Sequence, residues 1–177
     1  MDKRTIKTRN AITKAYTQAL MSHPDRAVTV SEICRIADIN KTTFYRNFND
    51  IWDLYYKLIE QFVDYVITED LFASLIANPR EYFSALDDRL GKLSPDMLQF
   101  VTQSATDICI QIEKRTRGFL KERYGELDDV LLEFIFGALE RGYFRAYGNK
   151  ESVEKVILLA DLIKENYVKA LYPHAIA

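Results

Sequence analysis

The spacing of the apolar residues constrains this chain most: they return every three or four positions and show none of the strict alternation of a half-buried strand. Ile12, Ala15, Tyr16, Ala19 and Leu20 form one stripe, on a helix whose other faces carry Lys7, Arg9, Asn10 and Lys14. Ile51, Leu54, Tyr55, Leu58, Ile59, Phe62, Val63 and Val66 form a longer one. With only 6 Gly and 4 Pro in 177 residues, little turn material remains for a many-stranded sheet. The pattern predicts an all-α protein, long enough to bury a core without disulfides or metal.

Start and stop signals divide the stripes into helices. After the loop Ser22-His23-Pro24-Asp25, Thr29 with Glu32 makes a capping box, opening a short helix that should bury Ile33, Ile36 and Ala37. Asp38-Ile39-Asn40 is a tight turn, and Asn40 caps a third helix, Lys41 to Asn47, whose inward residues Phe44 and Phe48 lie four apart. Helix, three-residue turn, helix is the outline of a helix-turn-helix. Asn49-Asp50 starts the long helix, which links an N-terminal domain, 1–48, to a C-terminal domain, 49–177.

Beyond it, Asn78-Pro79-Arg80-Glu81 and Ser94-Pro95-Asp96 are helix starts. They predict helices at 79–90 and 95–124, the second broken near its middle and closed by Gly125. Two more, 127–147 and 151–171, are separated by Gly148-Asn149. These two are apolar on more than one face: Leu131, Leu132, Phe134, Ile135, Phe136, Leu139, Tyr143 and Phe144, then Val153, Val156, Ile157, Leu158, Leu159, Leu162, Ile163 and Val168. A surface helix buries one stripe, so the second stripe is expected to meet another subunit in a four-helix interface. Burial of both stripes within one chain is the alternative.

Charge is distributed unevenly. Residues 1–48 hold nine Lys/Arg against four Asp/Glu, a balance of +5, and the remainder holds 15 against 22, or -7. That split fits a nucleic-acid-binding head on an acidic body. Catalysis is not expected: His23 and His174 are placed in a loop and a frayed tail, and Asp87-Asp88 and Asp128-Asp129 point apart on helices. Cys34 and Cys109 stand far apart without metal-ligand spacing, so neither a metal nor a disulfide framework is expected, and the chain reads as a reduced cytoplasmic protein. No run of apolar residues reaches membrane-spanning length, and the N-terminus lacks a signal-peptide core.

The segment Thr29 to Leu58, TVSEICRIADINKTTFYRNFNDIWDLYYKL, resembles the DNA-binding region of the TetR/AcrR family of transcriptional regulators. Ile12-x-x-Ala15-Tyr16, then Ile33 and Ala37, then Lys41-Thr42-Thr43-Phe44-Tyr45-Arg46-Asn47-Phe48 fall in that family's order and spacing. The resemblance implies about nine helices, with a three-helix DNA-binding domain, a C-terminal ligand-binding domain and a homodimer formed by the last two helices. It implies Tyr45, Asn47, Thr29 and Ser31 as phosphate contacts. Lys41, Thr42, Thr43 and Arg46 are the candidates for base readout, Arg suiting guanine and the Thr methyl suiting thymine. Phe44 and Phe48 hold the recognition helix from inside, and Lys3, Arg4, Lys7 and Arg9 are expected as a flexible basic arm.

The chain departs from the family in two places. Asp38 stands where the family has glycine, and Ile51 where it has a phosphate-contacting lysine at the start of helix 4. Trp52, beside it, is expected either to pack between head and body or to lie on the duplex backbone. Phe136-Gly137-Ala138 followed by Tyr143-Phe144-Arg145-Ala146-Tyr147-Gly148-Asn149 resembles the penultimate helix of a short C-terminal type related to dihydroxyacetone-kinase operon regulators. One member type of that group acts as a co-activator gripping a partner protein. A small-molecule effector is implied, with Tyr65, Phe72, Tyr82, Phe83, Phe100 and Phe119 as aromatics that either line its pocket or belong to plain core. The expected function is a ligand-responsive repressor binding palindromic double-stranded DNA, with an interaction module as the rival.

Overall fold

The computed structural model describes residues 2–23, 25–68, 71, 74, 75, 77–126 and 128–168, and among them every regular element is helical. In chain order these are α1 Lys3–Ser22, α2 Val30–Ile36, α3 Lys41–Tyr45, α4 Ile51–Val66, α5 Pro79–Leu90, α6 Pro95–Gln103, α7 Ala105–Tyr124 and α8 Asp129–Glu133. A π-helical stretch, Phe134–Glu140, then leads into α9 Arg141–Ala146, and α10 Lys150–Ile163 continues into a second, Lys164–Val168. The chain forms two compact units, Met1–Phe62 with Leu93–Ser104, and Val63–Lys92 with Ala105–Ala177.

In the first unit α1 begins earlier than expected. Asp2 caps it, its carboxylate accepting from the Arg4 N–H at 3.3 Å, so Lys3, Arg4, Lys7 and Arg9 are helical and not a loose arm. Ile12, Ala15, Tyr16 and Ala19 are buried, Leu20 only half-buried. Thr29 caps α2 by accepting from the Glu32 N–H at 3.2 Å, and Arg26 holds the Glu32 carboxylate through both guanidinium nitrogens at 2.8 and 3.0 Å. That hydrogen-bonded guanidinium is the main reason the Glu32 carboxyl titrates below the ordinary glutamate range. α2 buries Ile33 and Cys34, whereas Ile36, its last residue, and Ala37, its C-cap, stay half-buried. Asp38 then takes φ 52°, the left-handed turn in which aspartate is tolerated better than most residues.

α6 completes this unit. Its Phe100 is fully buried and meets Tyr16 and Tyr55 edge-on, with ring centroids 6.2 and 5.8 Å away. The helix expected over 95–124 is broken at Ser104, where α6 ends and α7 begins.

The second unit buries Tyr82, Phe83, Leu86 and Leu90 of α5 and Ile108, Cys109 and Ile112 of α7. Asn78 accepts from the Glu81 N–H at 3.4 Å and its amide donates to the Glu81 carboxylate at 3.0 Å, with Pro79 in the first turn. Phe83 stacks on Tyr143 with centroids 5.1 Å apart, and the Tyr143 hydroxyl donates to Asp87 at 3.1 Å, so Asp87 does more than face solvent. The segment expected as one regular helix over 127–147 changes register at Phe134 and recovers it at Arg141. Asn149 caps α10 by accepting from the Ser152 N–H at 3.0 Å, and α10 buries Ile157 and Ala160. Leu127, Phe72, His174 and the end of the 151–171 helix beyond residue 168 lie outside the described residues, as do the side chains of Leu131, Phe134, Ile135, Phe136 and Val168.

Candidate nucleic-acid interface

α3 is short because its far end is capped from within. Asn40 accepts from the Thr43 N–H at 2.8 Å to start it, and the Asn47 amide turns back to donate to the Thr43 carbonyl at 2.9 Å. The Asn47 N–H closes on the Phe44 carbonyl, three residues back, at 2.9 Å, a tightened last turn. The expected helix to Asn47 therefore stops at Tyr45.

The inward and outward sets separate around this turn. Phe44 and Phe48 are 0% and 2% exposed, with ring centroids 6.0 Å apart. Lys41, Thr42, Tyr45 and Arg46 are exposed, and Tyr45 sets its ring edge-on to Phe44 at 5.4 Å while leaving 54% of its surface free. Thr43 and Asn47, expected to face outward, are half-buried, and Asn47 spends its amide on the Thr43 carbonyl. Ser31 is exposed at the start of α2, whereas the Thr29 hydroxyl oxygen is engaged in the cap.

α4 begins at Ile51 with two carboxylates at its start: Asp50 accepts from the Asp53 N–H and Asp53 from the Asn49 N–H, both at 2.8 Å. Lys57 donates to Asp53 at 2.9 Å, which is the largest reason the Asp53 carboxyl lies below its ordinary range. Lys57 Nζ also stands 5.5 Å from the Phe48 ring centroid, and Arg9 of α1 holds its guanidinium carbon 5.9 Å from the same centroid. These two cations carry no signal in the sequence, since they come from helices on either side of α2 and α3. Trp52 is 67% exposed and meets Tyr55 edge-on at 5.9 Å.

The candidate pocket aromatics divide between buried and exposed positions. Tyr82, Phe83 and Phe100 are buried, Phe119 is half-buried, and Tyr65 is exposed with its hydroxyl donating to the Arg89 carbonyl at 3.2 Å. A groove of about 600 Å³ is lined by Asp129, Val130, Glu133, Gly137 and Ala138. Glu140, closing the π-helical stretch, is buried with the Tyr82 hydroxyl donating to it at 3.5 Å and its second oxygen without a partner; burial pushes its carboxyl up to about 8. Burial likewise raises the Cys109 thiol to about 12, and both Cys34 and Cys109 are free thiols.

Among the described residues no three or more His, Cys, Asp or Glu side chains gather as a metal site, and no helix is long and apolar enough to cross a membrane. Comparison with protein-family models, with curated proteins and with solved structures finds no match.

Proposed function

We propose that this chain is a sequence-specific DNA-binding regulator of the TetR/AcrR kind, acting as a homodimer on a palindromic operator. One observation carries the reading: a five-residue α3 anchored by buried Phe44 and Phe48 turns Lys41, Thr42, Tyr45 and Arg46 outward together. A helix presented this way fits the major groove, with Arg46 and Lys41 suited to guanine edges and the Tyr45 hydroxyl to a phosphate. The basic excess of residues 1–48 supplies the long-range attraction.

The homodimer reading draws on the last two helical segments. Leu158, Leu159 and Leu162 of α10 are 52%, 37% and 60% exposed, and Val130 of α8 is 57% exposed. Exposed apolar side chains of this kind are the material of a subunit interface. Effector binding in the body then acts by favouring the dimer geometry in which two recognition helices miss successive major grooves, about 34 Å apart. The site of action is the cytoplasm, and the regulator carries no catalytic activity.

The test is a salt series of purified protein against its own upstream intergenic DNA, competed with random duplex. A steep salt slope with retained preference for the native fragment is expected. Sequence-blind, salt-insensitive binding would refute the reading. The exposed Trp52 and Tyr56, 67% and 48% free, favour a second reading in which the fold works through a partner protein; stoichiometric recovery of one protein from source-cell extract would support it.

A further inference from the structure

The outward face of α3 ends on one buried ring with a cation over it from each of two other helices. Phe48 is 2% exposed, its N–H bonds the Phe44 carbonyl at 3.0 Å, and it follows Arg46 by two residues. Arg9 of α1 and Lys57 of α4 stand 5.9 and 5.5 Å from its centroid, inside the range in which a cation is attracted to a ring face. Arg9 Nε is buried without a hydrogen-bond partner, a cost that the ring and the neighbouring Asp53 carboxylate offset. Asp53 also holds Lys57 at 2.9 Å and accepts from the Asn49 N–H, the residue directly after Phe48.

We propose that Arg9 and Lys57 are positioning residues: by gripping Phe48 they fix the end of α3, and so the direction in which Tyr45 and Arg46 leave it. Base discrimination then depends on two cations that read no base. The proposal rests on the DNA-binding reading above, and it differs from the ordinary role of a basic residue beside a recognition helix, which is to neutralise a phosphate. A phosphate contact contributes to the salt slope of binding, whereas a positioning residue contributes to the preference for the right sequence.

The experiment uses the full chain and the variants Arg9→Gln, Lys57→Gln and Phe48→Leu, titrated across salt against duplexes enriched by the wild type from a random-sequence pool and against random duplex. Each variant is expected to lose about fivefold in preference with the salt slope unchanged, and Arg9→Gln is expected to cost nothing more in the Phe48→Leu background. Unchanged preference in Arg9→Gln and Lys57→Gln would overturn the proposal, and a slope shallower by about one for each would make both residues phosphate contacts. If no duplex is enriched, the DNA reading itself fails. The grip on Phe48 is then read by hydrogen exchange: the Asn47 and Phe48 amides are expected to exchange about fivefold faster in Arg9→Gln and Lys57→Gln, with α10 amides unaltered. Equal exchange would show that the cations hold nothing.

Discussion

The Thr17 hydroxyl donates to the Asp96 carboxylate at 2.7 Å, joining α1 to α6 across 79 residues of sequence. It is the shorter of two contacts made by that hydroxyl, the other being the Lys14 carbonyl at 3.0 Å. Burial pushes the Asp96 carboxyl up, but hydrogen bonds from Ser94 and Thr17 outweigh it and hold the group below the ordinary aspartate range. Thr17→Val keeps the shape and removes the donor, so it should cost about 1.5–3 kcal/mol, read by urea unfolding. Because the folded carboxyl is depressed, the stabilisation is present above the ordinary aspartate pKa and lost as pH falls through the lower folded value. The gap between wild type and variant should narrow there; a gap constant into strong acid would show that the bond does not depend on the charge.

Under the proposed DNA-binding function, Arg46→Ala should cost about 1–3 kcal/mol and relax base preference, while Tyr45→Phe should weaken binding to all sequences alike. Competition titrations with enriched and random duplex separate the two. Equal loss on both duplexes for Arg46→Ala would remove Arg46 from base readout.

Asp38 occupies a left-handed backbone at φ 52° that glycine adopts without strain. Asp38→Gly should stabilise the first unit by up to about 1 kcal/mol, and Asp38→Val should destabilise it by at least as much. Thermal melts of the two variants read both signs, and a lower midpoint for the glycine variant would mean that the aspartate side chain makes a contact worth more than the strain.

Glu140 makes the stability of the second unit fall from mildly acidic pH to about 8. Its carboxyl, raised by burial to about 8, keeps its proton in the folded chain at pH values where the unfolded chain has released it. Stability should therefore be greatest below the ordinary glutamate pKa and fall as pH rises from there to about 8, on the order of 1 kcal/mol per pH unit. Above that the loss is complete. Glu140→Gln should flatten the profile, and a variant retaining the full wild-type slope would assign the loss to other groups.

Leu158 and Leu162 of α10 should set the oligomeric state. Light scattering of the wild type at micromolar concentration should give a mass near twice the 20.6 kDa of one chain, and Leu158→Glu with Leu162→Glu should halve it. A wild type already at the single-chain mass would end the homodimer reading.

Features set within three or four residues are legible in the sequence. Thr29 with Glu32, Asn40 with Thr43, Asn78 with Glu81 and Asn149 with Ser152 are caps whose donor and acceptor are near neighbours, and Phe44 with Phe48 is an i,i+4 pair. Each can be deduced from spacing alone. The early end of α3 is not legible, because Asn47 has both a solvent-facing and a backbone-bonding option and only packing selects the second. Nor are the contacts of Tyr143 with Asp87 or Arg80 with Glu154, whose partners are 56 and 74 residues apart. The π register at Phe134–Glu140 follows the same rule, since nothing in FIFGALE distinguishes it locally from an α-helix.

The first unit is built from two pieces of chain, Met1–Phe62 and Leu93–Ser104. On a ribosome the earlier piece emerges with Tyr16 and Tyr55 lacking the Phe100 ring they close upon. The 42 residues from 63 to 104 take about two to eight seconds to synthesise, and for that interval the nascent head waits with part of its core open. A chaperone has its opportunity there, and a stalled or truncated message would release a product that carries α1 to α4 without the helix that closes over Tyr16 and Tyr55.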